Sequence, residues 1–184
     1  MEPLPVQLRR LSPDDAELFR EIRLEGLQRD PDAFSSTFEI ESAQPLSYFA
    51  DRIGRSAIFG AFRGSELLGV VGYAVQPGPK HAHKGLLWGM YVQPDARQAG
   101  IARKLIEAAI EHARGRVELL QLSVVSENMS ARRLYASLGF EEYGVEKRGA
   151  KYRGQYHDDV LMAKKLVPGP GQEAASAQSG GDGR

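Results

Sequence analysis

Cysteine is absent from the 184 residues of this sequence. Its absence excludes disulfides, thiolate–zinc sites, iron–sulfur clusters and a cysteine nucleophile. Net charge is also absent, because 24 Lys and Arg residues balance 24 Asp and Glu residues. No overall attraction to nucleic acid or to an anionic membrane is therefore expected, and any anion site must be built locally. No apolar run approaches the ~18 residues of a membrane span, and the first residues lack the pattern of a signal peptide. These absences predict a cytoplasmic protein whose partners are neither nucleic acid nor membrane.

The length suits one domain, since domains typically hold ~100–200 residues. We expect this domain to span residues 4–166. The remainder, 167–184, is rich in Pro, Gly, Ala and Ser and has no large apolar residue after Val167. Such a segment cannot bury enough apolar surface to offset its ordering entropy, so a flexible tail is predicted.

Helix and strand signals alternate along residues 4–166, which predicts a mixed α/β fold with a sheet that is antiparallel at its start. A helix is expected to begin at Ser12–Asp15, and residues 29–43 are expected to form a loop. The other predicted helices are 45–53, one that begins near Ala102, and 128–138. The predicted strands are 57–62, 67–75, 86–92, 117–125, one that begins at 139, and 159–166.

The strongest functional signal is Val-Gln-Pro-Asp-Ala-Arg-Gln-Ala-Gly-Ile-Ala at 92–102, where a strand ends and an amphipathic helix begins. A helix N-terminus offers free backbone N–H groups and the positive end of the helix dipole. The small residues Gly100 and Ala102 would let a phosphate approach the backbone, and Arg97 and Arg103 add positive charge. The sequence contains neither a Gly-Lys-Ser/Thr triplet nor a Gly-x-Gly-x-x-Gly here, which excludes two common phosphate loops. A helix start packed by small residues would look the same on this segment alone.

A second signal runs from Asn128 to Phe140. Asn128 can cap a helix and also offer its amide to a ligand. Ala131 and Tyr135 would follow on the same helix face, so one ligand could contact all three. Taken singly, Tyr135 could equally be a core residue and Gly139 a helix C-cap.

Together, Arg97-x-x-Gly100-x-Ala102 and the Asn128–Phe140 segment resemble the GNAT superfamily of acetyl-CoA-dependent N-acetyltransferases. Gln98 stands where that family often has glycine, and Ala102 replaces the more usual glycine. The resemblance implies an α/β (α+β) fold with a mostly antiparallel sheet of about six to seven strands and about four helices. It also implies direct transfer of the acetyl group from acetyl-CoA to a primary amine, without a metal. A non-catalytic acyl-CoA-binding module on the same fold is the alternative.

The resemblance assigns roles to individual residues. The backbone of Met90, Tyr91 and Val92 would pair with the pantetheine arm, and one of its amides would polarise the thioester carbonyl. Asn128 would contact the pantetheine, Ala131 would lie near the cofactor arm, and Tyr135 would protonate the leaving thiolate. The pyrophosphate would be held by Arg97, Gln98, Ala99, Gly100, Ile101, Ala102 and Arg103.

The sequence leaves the general base open. Some relatives that modify protein N-termini carry a glutamate where this chain has Ser123. The two histidines at 81 and 83 lack a carboxylate partner, so a solvated loop is expected there rather than a metal site. The candidates are Glu25, Glu39, Glu41, His81, His83, Glu141 and a water relay.

The acceptor pocket, by the same resemblance, would lie between residues 29–43 and 148–157. The second segment is basic and aromatic. That composition suits an anionic acceptor, with a carboxylate or phosphate near its amine, and it equally suits a hairpin at a homodimer contact.

Overall fold

The protein folds around one sheet of seven strands with five α-helices, as a computed structural model of residues 4–166 describes it; the predicted tail at 167–184 lies outside these residues. The strands are β1 (Val6–Arg10), β2 (Ala57–Arg63), β3 (Glu66–Val75), β4 (Lys84–Val92), β5 (Leu119–Val125), β6 (Glu141–Tyr152) and β7 (Gln155–Lys165). The helices are α1 (Ala16–Arg29), α2 (Phe38–Ser42), α3 (Leu46–Arg55), α4 (Ile101–Ala113) and α5 (Met129–Ser137). The predicted mixed α/β class with a mostly antiparallel sheet is confirmed.

The sheet has the strand order β1-β2-β3-β4-β5-β7-β6, and only the β4–β5 pair is parallel. This parallel pairing stops after three residue pairs, the last of which joins Leu86 to Gln121. Beyond it, residues 122–125 of β5 pair with β7 alone. The sheet therefore opens as a wedge between β4 and β5.

The strand β4 carries a β-bulge in its ladder with β3. Tyr91 pairs with Val70 and Trp88 pairs with Gly72, so Gly89 and Met90 together face the single residue Val71. Gly89 has a φ of 62°, a left-handed conformation that glycine adopts without steric cost. A bulge leaves one residue out of the ladder with β3, and here it falls where β4 has already separated from β5.

Two apolar clusters cover the two faces of the sheet. The helices α4 and α5 cover one face, with Leu105, Ile106 and Ala109 fully buried. The helices α1 and α3 cover the other face through Phe19 and Phe49. Burial of each such side chain contributes about 1.5–3 kcal/mol, so both layers hold the wedge strands in place.

The expectation of a simple loop at 29–43 is wrong, because the segment contains a 3-10 turn at Pro31–Ala33 and the helix α2. Thr37 caps α2 by accepting a hydrogen bond from the Ile40 amide (3.4 Å). A helix of five residues is too short to show a helical period, which is why the sequence pattern missed it.

The last two strands are longer than predicted. The strand β7 begins at Gln155 rather than at 159, and β6 continues to Tyr152, so the two form one long hairpin that turns at Arg153 and Gly154. The side chains of β6 are mostly exposed, so it lacks the alternation that reveals a half-buried strand. The strand β1 was missed for the same reason.

A buried ion cluster ties the three helices of one face together. Glu41 is only 1% exposed, and its carboxylate accepts hydrogen bonds from Arg23 Nε and Nη2 (2.9 and 2.7 Å) and from Arg52 Nη1 (3.2 Å). Burial acts to raise the pKa of Glu41, but the hydrogen bonds and charges of the arginines outweigh it and lower that pKa. Both oxygens are thus engaged, and Glu41 is a poor proton acceptor.

Replacement of Glu41 by Gln should lower the free energy of unfolding by about 3–5 kcal/mol, because it leaves Arg23 buried without its counter-charge. Urea denaturation at neutral pH measures the loss. Because the pKa of Glu41 is lowered in the folded state, ionised Glu41 should stabilise the fold at neutral pH. This contribution to the free energy of unfolding should disappear as the pH falls through the folded-state pKa of Glu41.

The matched control is Glu142→Gln, which removes one carboxylate of the exposed Arg132–Glu142 pair (2.8 Å). Exposed pairs contribute only about 0–1 kcal/mol. Equal losses in the two variants would contradict a stabilising role for the buried cluster.

Candidate active site

Two cavities meet at the wedge. The larger, about 1130 Å³, runs along β4 past the start of α4 to α5. The smaller, about 350 Å³, lies between residues 31–37, the wedge and the β6–β7 hairpin. The residues that line both cavities are Pro31, Asp32, Ala33, Met90, Val125, Asn128, Ala131, Tyr135 and His157. Molecules in the two cavities would therefore meet at this shared wall.

The structure brings nearly all of the predicted cofactor residues into the larger cavity. Ala99 is the exception and lines neither cavity. The predicted residues that line the larger cavity are Met90, Tyr91, Val92, Arg97, Gln98, Gly100, Ile101, Ala102, Arg103, Asn128, Ala131 and Tyr135.

The N-terminus of α4 has the features of an anion site. Gly100 precedes the helix with a φ of 73°, and no side chain caps it. The first backbone bond of the helix runs from the Lys104 amide to the Gly100 carbonyl (3.1 Å), so the preceding amides of the first turn have no intrahelical acceptor. A Cβ at Gly100 would meet nothing within 4 Å, which leaves open space above the turn. An anion can approach these amides and the positive end of the helix dipole.

Arg97 fixes the loop that leads to α4. Its Nε donates a hydrogen bond to the Val92 carbonyl (2.9 Å), and its Nη2 donates one to Asp30 (2.6 Å). The guanidinium also lies over the Tyr91 ring at 5.7 Å. Arg97 thus joins the end of β4 to the end of α1 while it lines the larger cavity.

Tyr135 lies on the shared wall with only 8% of its surface exposed. Its ring packs edge-on against Phe140 at 5.7 Å, so Tyr135 belongs to the core as well as to the cavity wall. Burial alone raises the pKa of Tyr135 to about 12. The phenol therefore stays protonated at neutral pH and can act as a donor.

Asn128 caps α5, as predicted. Its Oδ1 accepts a hydrogen bond from the Ala131 amide (3.1 Å). This bond fixes the Asn128 side chain at the start of α5. Tyr135 lies near the other end of the same helix, and both residues line the two cavities.

None of the six side chains considered as the general base lines either cavity. Glu25 accepts hydrogen bonds from the Tyr91 hydroxyl (3.1 Å) and from Gln93 Nε2 (2.9 Å). Glu41 belongs to the buried ion cluster. The others lie elsewhere: Glu39, His81, His83 and Glu141. Ser123, by contrast, lines the smaller cavity.

Both segments predicted to form the acceptor pocket contribute to the smaller cavity, but their positive charges mostly do not. Arg148 stacks on Tyr156 (4.8 Å) and Arg153 stacks on Tyr152 (5.0 Å), and neither arginine lines the cavity. The Asp, Lys and His side chains that line it are Asp32, Lys151, His157 and Asp159.

Sequence reasoning missed Asp159. This residue was placed only as the start of a strand, although it precedes the alternating Val160 and Met162, which face the core. Because side chains alternate along a strand, Asp159 lies on the face opposite to Val160 and Met162. This alternation was the signal that could have identified it.

Among residues 4–166, no helix is long and apolar enough to cross a membrane. Over the same residues, no three His, Asp or Glu side chains are grouped as metal ligands would be.

The wedge, the bulge on β4 and the uncapped turn before α4 suit an extended ligand that carries a phosphate group. Residues 20–140 match the acetyltransferase (GNAT) family, and the chain belongs to that family. It is therefore an acetyl-CoA-dependent N-acetyltransferase that acts on an amine, as its resemblance implied.

Individual relatives agree with this assignment. The L-amino acid N-acetyltransferase AaaT of Escherichia coli is 26% identical over 164 residues, which cover 86% of this chain and 97% of that protein. A GNAT acetyltransferase from Streptococcus pneumoniae is 25% identical, with a TM-score of 0.78 over 89% of this chain and 100% of that chain. The yncA protein of Salmonella typhimurium, solved with its cofactor acetyl-CoA, shares the fold with a TM-score of 0.74 at 17% identity, over 90% and 96% of the two chains.

Gln98 stands where the family often has glycine, and the backbone strain at this position can be tested by substitution. Gln98 has a φ of 63°, a conformation that is unfavourable by roughly 1–2 kcal/mol for a residue with a Cβ. Gln98→Gly should relieve this strain, whereas the matched variant Ala99→Gly, at a position without a positive φ, should only lose stability. We expect Gln98→Gly to be more stable than Ala99→Gly by about 1–2 kcal/mol in thermal or urea unfolding. Equal stabilities would show that the loop is not strained at Gln98.

Proposed function

We propose that this enzyme acetylates the amine of a small α-amino acid, with acetyl-CoA in the larger cavity and the acceptor in the smaller one. The observation that carries the proposal is the shared wall, because it lets an amine in one cavity reach a thioester in the other. Attack within one pre-formed site avoids the entropic barrier of a bimolecular encounter.

The larger cavity suits the pyrophosphate and the pantetheine arm of the cofactor. The uncapped turn at Gly100–Arg103 would hold the pyrophosphate by backbone N–H groups, with the Arg103 guanidinium nearby. The pantetheine would extend along residues 90–92 of β4, at the edge that β5 leaves unpaired. Asn128 and Ala131 would bound it on the other side.

The reacting groups would meet at the β4 bulge and Tyr135. The amine nitrogen would attack the thioester carbonyl, and a backbone N–H freed by the bulge would stabilise the developing oxyanion. As the C–S bond breaks, the Tyr135 hydroxyl would donate its proton to the sulfur. With a pKa of about 12, the phenol carries its proton at neutral pH, before the thiolate forms.

The smaller cavity supports a small acceptor. Its volume of about 350 Å³ is near the lower end of the range for small-molecule sites. The aromatic residues Phe34, Trp88 and Tyr152 supply apolar walls, and Lys151 and Asp159 supply charges of opposite sign. An α-amino acid carries an amine, a carboxylate and a variable side chain, which match these three features. The E. coli relative named as an L-amino acid N-acetyltransferase points the same way. A cytoplasmic location and a homodimer contact at the hairpin stay predictions.

Gly100→Asp should abolish the stabilisation of the protein by CoA, because a carboxylate would occupy the pyrophosphate position and repel it. For the wild type, CoA at ~100 times Kd should stabilise the fold by ~2.7 kcal/mol, which a thermal melt detects easily. The variant should melt at the same temperature with and without CoA.

The control for this variant is Gly115→Asp, at the opposite end of α4. Gly115 has a φ of 72° and Gly100 has a φ of 73°. A Cβ at either position would meet nothing within 4 Å. The two variants therefore suffer the same backbone strain, but only Gly115→Asp should keep the CoA shift. A full CoA shift in Gly100→Asp would refute the pyrophosphate site.

Tyr135→Phe removes one oxygen and keeps the ring that packs on Phe140. If the phenol protonates the leaving thiolate, kcat should fall by ~10²–10⁴-fold while the CoA melting shift is unchanged. Release of free thiol with a panel of L-amino acids as acceptors measures kcat.

The matched control is Tyr143→Phe, because Tyr143 lies on the exposed strand β6 outside both cavities and should keep its activity. A Tyr135→Phe variant with at least half of the wild-type kcat would mean that water supplies the proton.

A further inference from the structure

Asp159 occupies a position in the acceptor cavity that no predicted role accounts for. It lies on β7, directly across from Val125 of β5 in the register of the sheet. Val125 lines both cavities, so Asp159 lies beside the wall where they meet. Its carboxylate therefore lines the acceptor site from the side of the β6–β7 hairpin.

The hairpin makes room for this carboxylate. A Cβ at Gly149 would come within 2.9 Å of Asp159 Oδ2. Gly149 lies in the irregular stretch of β6 between Glu146 and Ala150, where the register with β7 shifts. The bulged strand thus leaves space for the Asp159 carboxylate.

The carboxylate is engaged neither in a hydrogen bond nor in an ion pair among residues 4–166. Within residues 4–166, no side chain or amide donates a hydrogen bond to Asp159, and no cation forms an ion pair with it. Its neighbour Asp158 is a contrast, since it accepts hydrogen bonds from Lys147 Nζ (2.7 Å) and from the Arg148 amide (2.9 Å). The Asp159 carboxylate is therefore available to a cation that enters the cavity.

The surroundings make Asp159 more basic than an ordinary aspartate. Burial raises the pKa of Asp159 first, and the negative charge of Glu146 on β6 raises it further. Asp158 and Glu127 act in the same direction, while His157 opposes them. A carboxyl group with a raised pKa holds a proton more readily.

We propose that Asp159 binds the ammonium group of the acceptor and removes its proton before the attack on acetyl-CoA, an inference that rests on the proposed function. An ammonium ion is the cation that the unpaired carboxylate lacks. The acceptor class is then a protonated primary amine rather than a purely anionic compound.

The step balances in atoms and charge. The ammonium nitrogen gives one proton to the Asp159 carboxylate, and its free electron pair then forms the N–C bond to the acetyl carbon. The electron pair of the breaking C–S bond leaves with sulfur, which takes the Tyr135 proton. The second nitrogen proton returns through solvent to the Tyr135 oxygen, and Asp159 releases its own proton to solvent. The sum is an ammonium ion and acetyl-CoA on one side, and an amide, CoA thiol and one proton on the other.

Asp159→Asn tests this role, with kcat/KM measured from thiol release for the best acceptor in a panel of L-amino acids. At pH 7 we expect a loss of ~10²–10⁴-fold. The loss should shrink as the pH rises towards the pKa of the amine, because a neutral amine needs no base. The matched variant Asp158→Asn should stay within about threefold of the wild type at every pH. A loss at pH 7 below threefold, or one of equal size at every pH, would overturn the proposal.

Glu146→Gln provides a test that keeps Asp159 in place. Removal of this negative charge lowers the pKa of Asp159, so the acidic limb of the kcat/KM profile should move to lower pH. An unmoved limb would overturn the proposal even if Asp159→Asn failed to fold.

The failure of this inference can be told apart from the failure of the proposed function. If wild-type protein shows no melting shift with acetyl-CoA and releases no thiol with any amine, the proposed function is wrong. If the wild type turns over while Asp159→Asn matches it, only the role of Asp159 is wrong.

Discussion

The early end of the β4–β5 pairing is the constraint on which the site depends. Because the two strands separate after Leu86 and Gln121, the edge of β4 from Leu87 onward has unpaired backbone in the middle of the sheet. Unpaired N–H and C=O groups need partners, and a ligand that runs along the edge can supply them. The same separation creates the space in which the larger and the smaller cavity meet. The bulge at Gly89 and Met90 adds a further unpaired group where the thioester is proposed to lie.

The wall of the acceptor cavity at residues 31–37 is positioned by a neighbouring buried ion cluster rather than by a long helix or strand. Residues 31–37 have little regular structure, yet they lie next to α2, whose Glu41 is fixed by Arg23 and Arg52. The Arg23 guanidinium also stacks on Phe34 (4.7 Å) and lies 3.3 Å from the Cβ position of Gly89. The buried ion cluster therefore contacts both the acceptor wall and the bulge. A buried cluster of this kind is exacting about geometry, because any displacement leaves a charge without its partner.

Burial raises the pKa of both groups that are proposed to transfer protons. It raises the pKa of Tyr135 to about 12, which keeps a proton available for the leaving sulfur. It also raises the pKa of Asp159, which makes that carboxylate a better acceptor of a proton from nitrogen. The phenol, which is protonated at neutral pH, is the proposed acid, and the carboxylate is the proposed base. Tyr135 lies on α5 and Asp159 lies on β7, and both residues line the smaller cavity.

The sequence by itself determined the features that depend on local pattern. The helical period after Gly100, the cap at Asn128 and the motif at 97–102 marked a set of predicted cofactor residues, and all of them except Ala99 line the larger cavity. Short or exposed elements such as β1, α2 and β6 could not be predicted, because they have no apolar period to reveal them. Only the tertiary structure decided which charges face the acceptor. In the folded protein, Arg148 and Arg153 stack on tyrosines outside the cavity. Glu25 and Glu41 accept hydrogen bonds elsewhere. Asp159 lines the cavity without a hydrogen-bond or ion-pair partner among residues 4–166. Residues far apart in sequence become neighbours only through strand register and packing, so no local pattern could have ranked one carboxylate above another.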